Sequence, residues 1–514
     1  MEDPGKISHV VIVGGGTAGW MSAAFLSRMF PQRQMRITVV ESAEIGTVGV
    51  GEATVPSILF FNQFVGVDEP TMMSASQGSF KLGIEFVGWS DPGARYLHPF
   101  GAFGAPMEGV SFHAYWLRAR RRGYKAELAE FSLNSLAAQG GRFDWHVDDP
   151  HDPRSGMVHA YHFDASLYAQ LLRRVSEGRG VRRVERTIRG VNLDPVDGTI
   201  ASLALDDGET LAGDFFIDCS GFRGLLIGQA LGMGYEDWSE YLPANRAVAV
   251  PSARYEDPVP YTRATAERAG WRWRIPLQHR TGNGYVYVAD QISDDEAAGS
   301  LLAALAAEHP GNEILADPRF LRFTTGRRTR SRHKNCVSLG LASGFLEPLE
   351  STSIHLVQFG LMKLAASFPR AKDDPVATDF YNRIMADEME QIRDFLIYHY
   401  HANRRVGEPL WDRMRALAIP ESLREKIDLY RTRGQVIFPH QSIFVEPNWL
   451  AVMMGQHGEP EGYDPLADRM DDRQLAEYLQ HMRIACRQAA DRMPSHASVL
   501  ERLAAAAQQK AGSA

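Results

Sequence analysis

The chain has 514 residues, of which 44% are hydrophobic and 23% charged, the composition of a folded protein with a sizeable buried core. Its formal net charge of -8 argues against nucleic-acid binding, because proteins that bind nucleic acids usually show a basic patch. The sequence has no uncharged apolar run of about 18 residues, so no membrane span is expected. Its three cysteines, Cys219, Cys336 and Cys486, lie far apart and predict neither a disulfide framework nor a zinc site. We therefore expect a cytoplasmic protein without a metal centre.

The first predicted unit is a strand, a glycine-rich turn and a helix, in HVVIVGGGTAGWMSAAFLSRMF at residues 9–30. The GxGxxG turn contains Gly14, Gly16, Thr17, Ala18 and Gly19. Such a turn lets the backbone approach a pyrophosphate, and the helix that follows presents N–H groups and a positive dipole end. A second strand at 35–42 ends in Glu41, whose carboxylate is placed to accept hydrogen bonds from a ribose diol. These residues predict a dinucleotide site, and by themselves they leave NAD and FAD open.

The next segment of interest, SFKLGIEF at residues 79–86, alternates apolar and polar side chains. This period of two predicts a half-buried strand, and alternation alone would place Lys81 in water. Most lysines in such patterns solvate a sheet face and have no further role.

Two later segments favour FAD over NAD. Residues 213–224 predict a strand that ends at Asp218 before a Ser-Gly turn, and residues 334–356 predict a strand, a turn containing Gly340 and a helix. Both could be ordinary units of an α/β sheet. Together with the first turn, however, they resemble the discontinuous FAD module of flavoprotein monooxygenases, in which later segments return to the nucleotide.

The C-terminal third has apolar residues at helical spacing from about residue 357. One long helix is predicted from Asp374 to Arg404, with Asp374 as N-cap and Pro375 in the first helical position. The last 30 residues are predicted to form an amphipathic helix that frays into a tail of small residues.

Several motifs together resemble the flavin-dependent tryptophan halogenase family over roughly residues 8 to 460. The most specific is GWRWRIP, the WxWxIP signature, which contains Trp271, Trp273, Ile275 and Pro276. The other segments are GVGEATVPS (49–57), FKLGIEFVGW (80–89), AYHFDASLYA (160–169), LQHRTGNGYVY (277–287) and IRDFLIYHY (392–400).

The resemblance implies an α/β fold. It would contain a Rossmann-like FAD-binding module of the flavoprotein monooxygenase type, interleaved with and followed by a largely helical part that covers the substrate site. We expect the FAD and halide module to occupy residues 1–360, with substrate-site segments inserted at about 85–165. The helical part would occupy residues 361–514.

The resemblance also implies a reaction and the residues that perform it. Members of the family use reduced FAD (FADH2), O2 and chloride or bromide to make hypohalous acid, which travels through an internal tunnel to a lysine that Lys81 matches. The resemblance therefore implies that Lys81 faces inward, onto this tunnel. Its ammonium would either hydrogen-bond the hypohalous acid or form a haloamine. Glu350 matches the family glutamate that accepts the proton lost from the ring, and the backbone of Ser351 would approach lysine and substrate. Thr352 and Ser353 match the halide site, although the family often has glycine at the second position, which leaves halide preference open.

Aromatic side chains are expected to bind the substrate, although several could simply be core. The candidates for the substrate and tunnel are His98, Phe100, Phe103, Trp449 and the four WxWxIP residues named above. The two tryptophans of that signature would keep the organic substrate away from the flavin. No clear tyrosine pair accompanies Trp449 in residues 441–458, which weakens the case for free tryptophan. Bare indole, a substituted indole or a larger aromatic are at least equal candidates.

The expected partners are a small aromatic substrate and a separate NAD(P)H:flavin reductase, because the sequence has no second GxGxxG unit for a nicotinamide. The oligomeric state stays open, with a homodimer as one option. Two other functions also remain open: a flavin monooxygenase that hydroxylates its aromatic substrate, and a non-catalytic flavin- or ligand-binding relative. A hydroxylase would have no use for Lys81 and Glu350.

Overall fold

The computed structural model describes residues 7–42, 51–438 and 442–512. The first two residues of GVGEATVPS lie outside this part of the chain. The chain divides into two units, each made of three segments. The first unit comprises residues 1–78, 163–243 and 322–390, and the second comprises residues 79–162, 244–321 and 391–514.

The helices of the described residues are α1 (Thr17–Met29), α2 (Ser57–Phe64), α3 (Glu69–Ala75), α4 (Phe112–Arg121), α5 (Leu133–Gln139), α6 (Ala165–Glu177), α7 (Asp294–Glu308), α8 (Ser353–Ala366), α9 (Pro375–His401), α10 (Pro409–Arg415), α11 (Glu421–Arg433), α12 (Glu446–Gln456), α13 (Asp472–Arg492) and α14 (His496–Gly512). In the same residues, no helix is both long enough and apolar enough to cross a membrane.

The strands of the first half are β1 (His9–Val13), β2 (Arg36–Glu41), β3 (Gly51–Ala53), β4 (Ser79–Lys81), β5 (Gly83–Val87), β6 (Arg95–Pro99), β7 (Ala160–Asp164), β8 (Arg182–Glu185), β9 (Ile188–Leu193), β10 (Ile200–Leu205) and β11 (Thr210–Ala212). Those that follow are β12 (Phe215–Asp218), β13 (Tyr235–Asp237), β14 (Arg246–Ala253), β15 (Thr262–Glu267), β16 (Gly270–Pro276), β17 (Arg280–Tyr287), β18 (Arg319–Arg322), β19 (Gly326–Arg328), β20 (Arg332–His333), β21 (Cys336–Ser338) and β22 (Gly344–Phe345).

The first unit is built on a six-stranded sheet in the order β20-β21-β12-β1-β2-β8. All neighbours from β21 to β8 pair in parallel, and only β20 is antiparallel. The central strand β1 is buried along its whole length, as expected for a parallel strand covered on both faces. Because the carboxyl ends of parallel strands share one edge, the glycine-rich turn that follows β1 lies at the same edge as Glu41 and Asp218, the last residues of β2 and β12. This arrangement confirms the predicted Rossmann-like module.

The second unit contains a seven-stranded sheet in the order β18-β14-β17-β16-β15-β5-β6. The WxWxIP segment forms β16, which pairs antiparallel with β15 and β17. Its alternation places Trp271, Trp273 and Ile275 on one buried face. Arg272 and Arg274, on the other face, both pair with Glu308. The strand β5 extends the sheet by pairing in parallel with β15.

Two predicted elements, the strand at 79–86 and the C-terminal helix, are each interrupted in the structure, and a third, the long helix, begins where predicted. The predicted strand 79–86 is two strands that break at Leu82, whose N–H donates to the carbonyl of Pro260 at 2.7 Å. The single C-terminal helix is also wrong, since α13 ends before Pro494 and α14 begins after it. Helix α9 does begin at Pro375, with the Ala377 N–H donating to Asp374 at 3.2 Å, but it ends three residues before Arg404.

Candidate active site

The glycine-rich turn connects β1 to α1 with very little space around two of its glycines. Gly14 has φ of 112°, and an added Cβ would lie 2.3 Å from the carbonyl oxygen of Cys219. A Cβ on Gly19 would lie 1.8 Å from the carbonyl oxygen of Gly14. A Cβ on Gly16, by contrast, would meet nothing within 4 Å, and no described side chain caps α1. The turn is therefore closed against the sheet and open in front of the helix N-terminus, as a phosphate-binding turn requires.

Glu41 lies directly beside this turn. A Cβ added to Gly15 would fall 1.4 Å from a carboxylate oxygen of Glu41, so only glycine leaves room for the acid. Glu41 forms an ion pair with Arg183, and Arg173 lies 3.9 Å away. The sequence prediction did not include these two arginines, because the helix and strand that carry them are distant in the chain.

The two later segments meet the first turn, as the sequence prediction expected. The N–H of Leu339 donates to the carbonyl of Asp218 at 3.0 Å, which joins the second and third segments. Gly340, with φ of 63°, packs so closely on Ala18 that an added Cβ would lie 2.9 Å from the alanine methyl. Gly14, Ala18, Asp218 and Gly340 are thus brought together at one sheet edge.

The side chain of Asp218 is buried and organises its own turn. One carboxylate oxygen accepts from the N–H and hydroxyl of Ser220, at 3.0 and 2.5 Å. The other accepts from the N–H groups of Leu226 and Ile227, both at 2.8 Å. Four donors hold this carboxylate, so it shapes the loop beside the glycine-rich turn.

The segment before α8 carries the predicted acid and halide residues. Glu350 is buried at the end of a short 3-10 turn, and Ser351 follows with φ of 60°, a left-handed conformation. Thr352 is the N-cap residue of α8, and Ser353 is its first residue. The hydroxyl of Thr352 is buried and has no hydrogen-bond partner in the described part of the chain.

The start of α8 is held by a serine–histidine–glutamate chain that the sequence prediction missed. His355 Nδ1 lies 3.1 Å from the hydroxyl of Ser57, and its Nε2 lies 3.0 Å from a carboxylate oxygen of Glu388. The same hydroxyl contacts Gln358 at 2.7 Å. His355 and Glu388 are both buried. These hydrogen-bonded side chains fix the first turn of α8 to the first residue of α2.

We expect His355→Leu to lower the free energy of unfolding by roughly 3 kcal/mol, because it leaves the buried Glu388 carboxylate without its imidazole partner. His355→Gln, whose amide can still reach Glu388, should recover part of this loss. Urea unfolding of the three proteins measures both effects. A leucine variant as stable as the parent would show that the imidazole contributes nothing to the packing of α8.

One carboxyl in the first unit has a strongly shifted pKa. Burial raises the pKa of Glu52, in β3, to about 7. This carboxyl therefore changes its charge near neutral pH, whereas an ordinary glutamate is ionised there. Within the described residues, no group of three His, Cys, Asp or Glu side chains is placed to hold a metal ion.

Lys81 belongs to the second unit and is completely buried, at 0% exposure. It ends β4, which pairs antiparallel with β7, and its Nζ lies 4.9 Å from the centre of the Phe100 ring. The solvated position that alternation alone would give to this side chain is therefore not the one observed. A buried ammonium costs several kcal/mol unless its surroundings compensate, and an aromatic face supplies part of that compensation.

A hydrogen bond joins the WxWxIP strand to the strand of Lys81. The hydroxyl of Ser79, in β4, donates to the carbonyl of Pro276 at 2.5 Å. The tryptophans of the signature are packed within the unit: the ring of Trp271 lies 6.2 Å from that of Trp273 and 6.3 Å from that of Trp89. An added Cβ on Gly284 would lie 2.0 Å from the Trp273 ring, so a glycine is needed beneath it.

Two of the predicted substrate residues come together around a phenylalanine that was not predicted. The rings of His98 and Trp449 lie 5.8 and 4.7 Å from that of Phe395, in α9. His98 is further held by the side-chain amide of Asn448, 2.9 Å from its Nε2. Phe103 is buried elsewhere in the same unit.

The fold and the residues at its sheet edge define the class of protein. A parallel sheet with a GxGxxG turn, an acid at the end of the second strand and two returning segments is the arrangement of a Rossmann-like FAD-binding fold. Comparison with known proteins then gives the family, since the model described as tryptophan halogenase matches residues 9–472. The chain belongs to the tryptophan halogenase family, and it is a flavin-dependent halogenase.

Relatives match over nearly the whole chain. The 7-chloro-L-tryptophan 6-halogenase KtzR of Kutzneria sp. (strain 744) is 34% identical over 96% of this chain and 99% of its own. Two solved structures are similar with a TM-score of 0.92 each. BrvH, a flavin-dependent halogenase from Brevundimonas sp. BAL3, is 44% identical over 97% of this chain and 99% of its own. Xcc4156, a flavin-dependent halogenase from Xanthomonas campestris, is 47% identical over 97% and 98%.

Proposed function

We propose that this chain is a two-component FAD-dependent halogenase that acts on an indole-like or other electron-rich aromatic. The observation that carries the proposal is Lys81, a fully buried lysine with its Nζ 4.9 Å from an aromatic ring. Burying an ammonium is costly, and a lysine kept in such a place is a candidate for chemistry. Family membership supplies the reaction class.

The first unit would hold the cofactor. The open space at Gly16 and the uncapped start of α1 suit a pyrophosphate, and Glu41 suits a ribose hydroxyl. Asp218 and Gly340 shape the same sheet edge. Reduced FAD, with O2 and halide, supplies hypohalous acid when bound.

The halide would bind at the start of α8. A helix N-terminus favours an anion through its dipole and its N–H groups. Thr352 and Ser353 stand at this end, and the buried hydroxyl of Thr352 has no partner among the described residues. Chloride and bromide are both accommodated by this chemistry, and bromide is the easier to oxidise.

Lys81 would deliver the halogen and Glu350 would take the proton. The lysine acts either as an ammonium that hydrogen-bonds the oxygen of hypohalous acid or as an amine that carries the halogen as a haloamine. The halogen forms a bond to a ring carbon, and the proton on that carbon leaves to the Glu350 carboxylate. With one hypohalous acid consumed, the products are the aryl halide and water.

The aromatic group of His98, Phe395 and Trp449 supports a flat substrate, since such rings stack well on one another. The relatives named above are halogenases, and KtzR by its name acts on 7-chloro-L-tryptophan. We place indole and substituted indoles beside free tryptophan, because residues 441–458 contain no tyrosine pair.

The reduced flavin would come from a separate NAD(P)H:flavin reductase, since the sequence has a single GxGxxG unit. A cytoplasmic location fits this supply. It is also consistent with the three cysteines, each of which is a free thiol in the structure.

A product screen tests the proposal. The protein is incubated with FAD, a generic flavin reductase, NADH, oxygen and bromide, together with indole, tryptophan, substituted indoles and phenols, and the products are analysed by mass spectrometry. We expect a bromine isotope doublet on at least one indole and none when bromide or the reductase is omitted. A product that gains only oxygen would instead favour the hydroxylase.

A further inference from the structure

The strand that carries Lys81 depends on a histidine from the far end of the chain. β4 pairs with β7 along one edge, through Ser79–His162, Phe80–Tyr161 and Lys81–Ala160. On its other side, the Phe80 N–H lies 3.1 Å from Nε2 of His496, the first residue of α14. A single imidazole thus takes the position that a neighbouring strand would occupy.

The donors and acceptors around His496 fix its tautomer. A backbone N–H can only donate, so Nε2 must be unprotonated to accept from Phe80. Nδ1 lies 2.7 Å from the carbonyl of Pro258, which can only accept, so Nδ1 must carry the proton. His496 is fully buried, and burial lowers its pKa to about 4. The ring is therefore neutral at the pH of any ordinary assay, and the bond to Phe80 persists.

A second histidine holds the residue on the other side of Phe80. The Ser79 hydroxyl donates to the carbonyl of Pro276, so its oxygen accepts from Nδ1 of His162 at 3.0 Å. Nε2 of His162 is then left to accept from the hydroxyl of Thr262 at 2.9 Å. The carbonyl of Pro276 fixes the roles of the Ser79 hydroxyl and of Nδ1, and the neutral state of the imidazole makes Nε2 the acceptor. Burial and then the charge of Lys81 hold the pKa of His162 well below its usual value, so this ring is neutral too.

We propose that His496 and His162 are positioning residues that hold β4 so that the Lys81 ammonium stays at the Phe100 ring. The inference rests on the proposed role of Lys81 in halogen transfer. Ser79 and Phe80 immediately precede Lys81, and each is held by one imidazole. On the carboxyl side, the Leu82 N–H donates to the carbonyl of Pro260 at 2.7 Å. The Leu82 carbonyl accepts from the Phe100 N–H at 2.9 Å and from the side-chain amide of Asn134 at 3.3 Å.

The size of these interactions predicts a defect in transfer rather than in folding. One neutral hydrogen bond contributes only a small part of the folding free energy, so a protein of this size can lose it without unfolding. A shift of about 1 Å at a reacting group, however, can cost about 100-fold in rate. Loosening β4 should therefore leave flavin reoxidation and halide use alone, and hypohalous acid should escape before it reaches the substrate.

The test compares His496→Leu, His496→Gln and Ser79→Ala with the parent enzyme and with Lys81→Ala. Three quantities are measured: brominated product per NADH consumed, free hypobromous acid trapped by an added diketone, and KM for bromide. We expect His496→Leu and Ser79→Ala to lower product per NADH at least tenfold and to raise the trapped fraction, with KM for bromide unchanged. We call the brominated product per NADH the coupling. His496→Gln should recover part of it, because its amide oxygen can accept from the Phe80 N–H.

His9→Leu is the matched control, since His9 is also buried and bonded to a hydroxyl, Thr38 at 2.9 Å, but lies at the start of β1. Its coupling should equal that of the parent. Parental coupling in His496→Leu and Ser79→Ala would overturn the inference, as would a fall in coupling accompanied by equal losses of flavin reoxidation and melting temperature. If His496→Leu does not fold, Ser79→Ala decides the question. Lys81→Ala tests the role of the lysine separately from the role of the histidines that position it. Full bromination by this variant would overturn the role of the lysine itself.

Discussion

Bromination is expected to stop in Lys81→Ala, while reduced FAD continues to be reoxidised by oxygen. Halogen transfer needs a donor or nucleophile at this position, and removing such a group typically costs at least about 100-fold. Alanine also leaves a cavity where the side chain was buried, so Lys81→Met is the better-packed companion that removes the charge and keeps most of the volume. Both variants should fail equally if the amino group is what matters. Product yield and NADH consumption, measured together, give the result.

The matched control for this prediction is Lys363→Ala. Lys363 is less buried than Lys81, but it likewise places its Nζ close to a phenylalanine ring, 4.8 Å from the centre of that of Phe359 near the middle of α8. The Lys363→Ala variant should brominate at the parental rate. If Lys81→Met kept more than a tenth of the parental product, the assignment of the lysine would be wrong. An oxygenated product that forms equally well in both Lys81 variants would favour the flavin hydroxylase.

The parts of the molecule that could be predicted from sequence are those encoded by neighbouring residues. The turn after β1 has its glycines where the strand ends, and the start of α9 has an aspartate followed by proline. Both patterns specify a local backbone conformation, so composition and spacing suffice. The burial of Lys81 could not be obtained in this way, because alternation in 79–86 gives two faces and does not say which one is covered.

The parts that could not be predicted are contacts between distant segments. His496 reaches Phe80 across 416 positions of the chain, and Ser57 reaches His355 across 298. Neither contact leaves a periodic signal around either residue. The break between α13 and α14 could have been predicted from Pro494, which no regular helix interior accommodates. That break matters because it places His496 at the start of a helix.

Gly16→Val is expected to abolish FAD binding without destabilising the protein. Gly16 has φ of -77° and ψ of -173°, an extended conformation that valine adopts readily, and an added Cβ would meet nothing within 4 Å. The new methyl groups would instead occupy the space in front of α1 where the pyrophosphate is proposed to bind. Loss of charge-assisted hydrogen bonds to the pyrophosphate would raise the Kd for FAD at least about 100-fold. The Kd is measured from the quenching of FAD fluorescence as protein is added.

Gly19→Val and Gly299→Val give this prediction its two reference points. At Gly19 a Cβ would fall 1.8 Å from a backbone carbonyl, so this variant should lose roughly 3 kcal/mol or more of folding free energy, besides losing FAD. Gly299 lies in α7 with open space around it, so its variant should keep both stability and FAD affinity. A Gly16 variant that melts early would mean that the open space is needed for folding. If it instead bound FAD with parental affinity, the pyrophosphate would have to lie elsewhere, because a valine in the proposed position leaves no room for it.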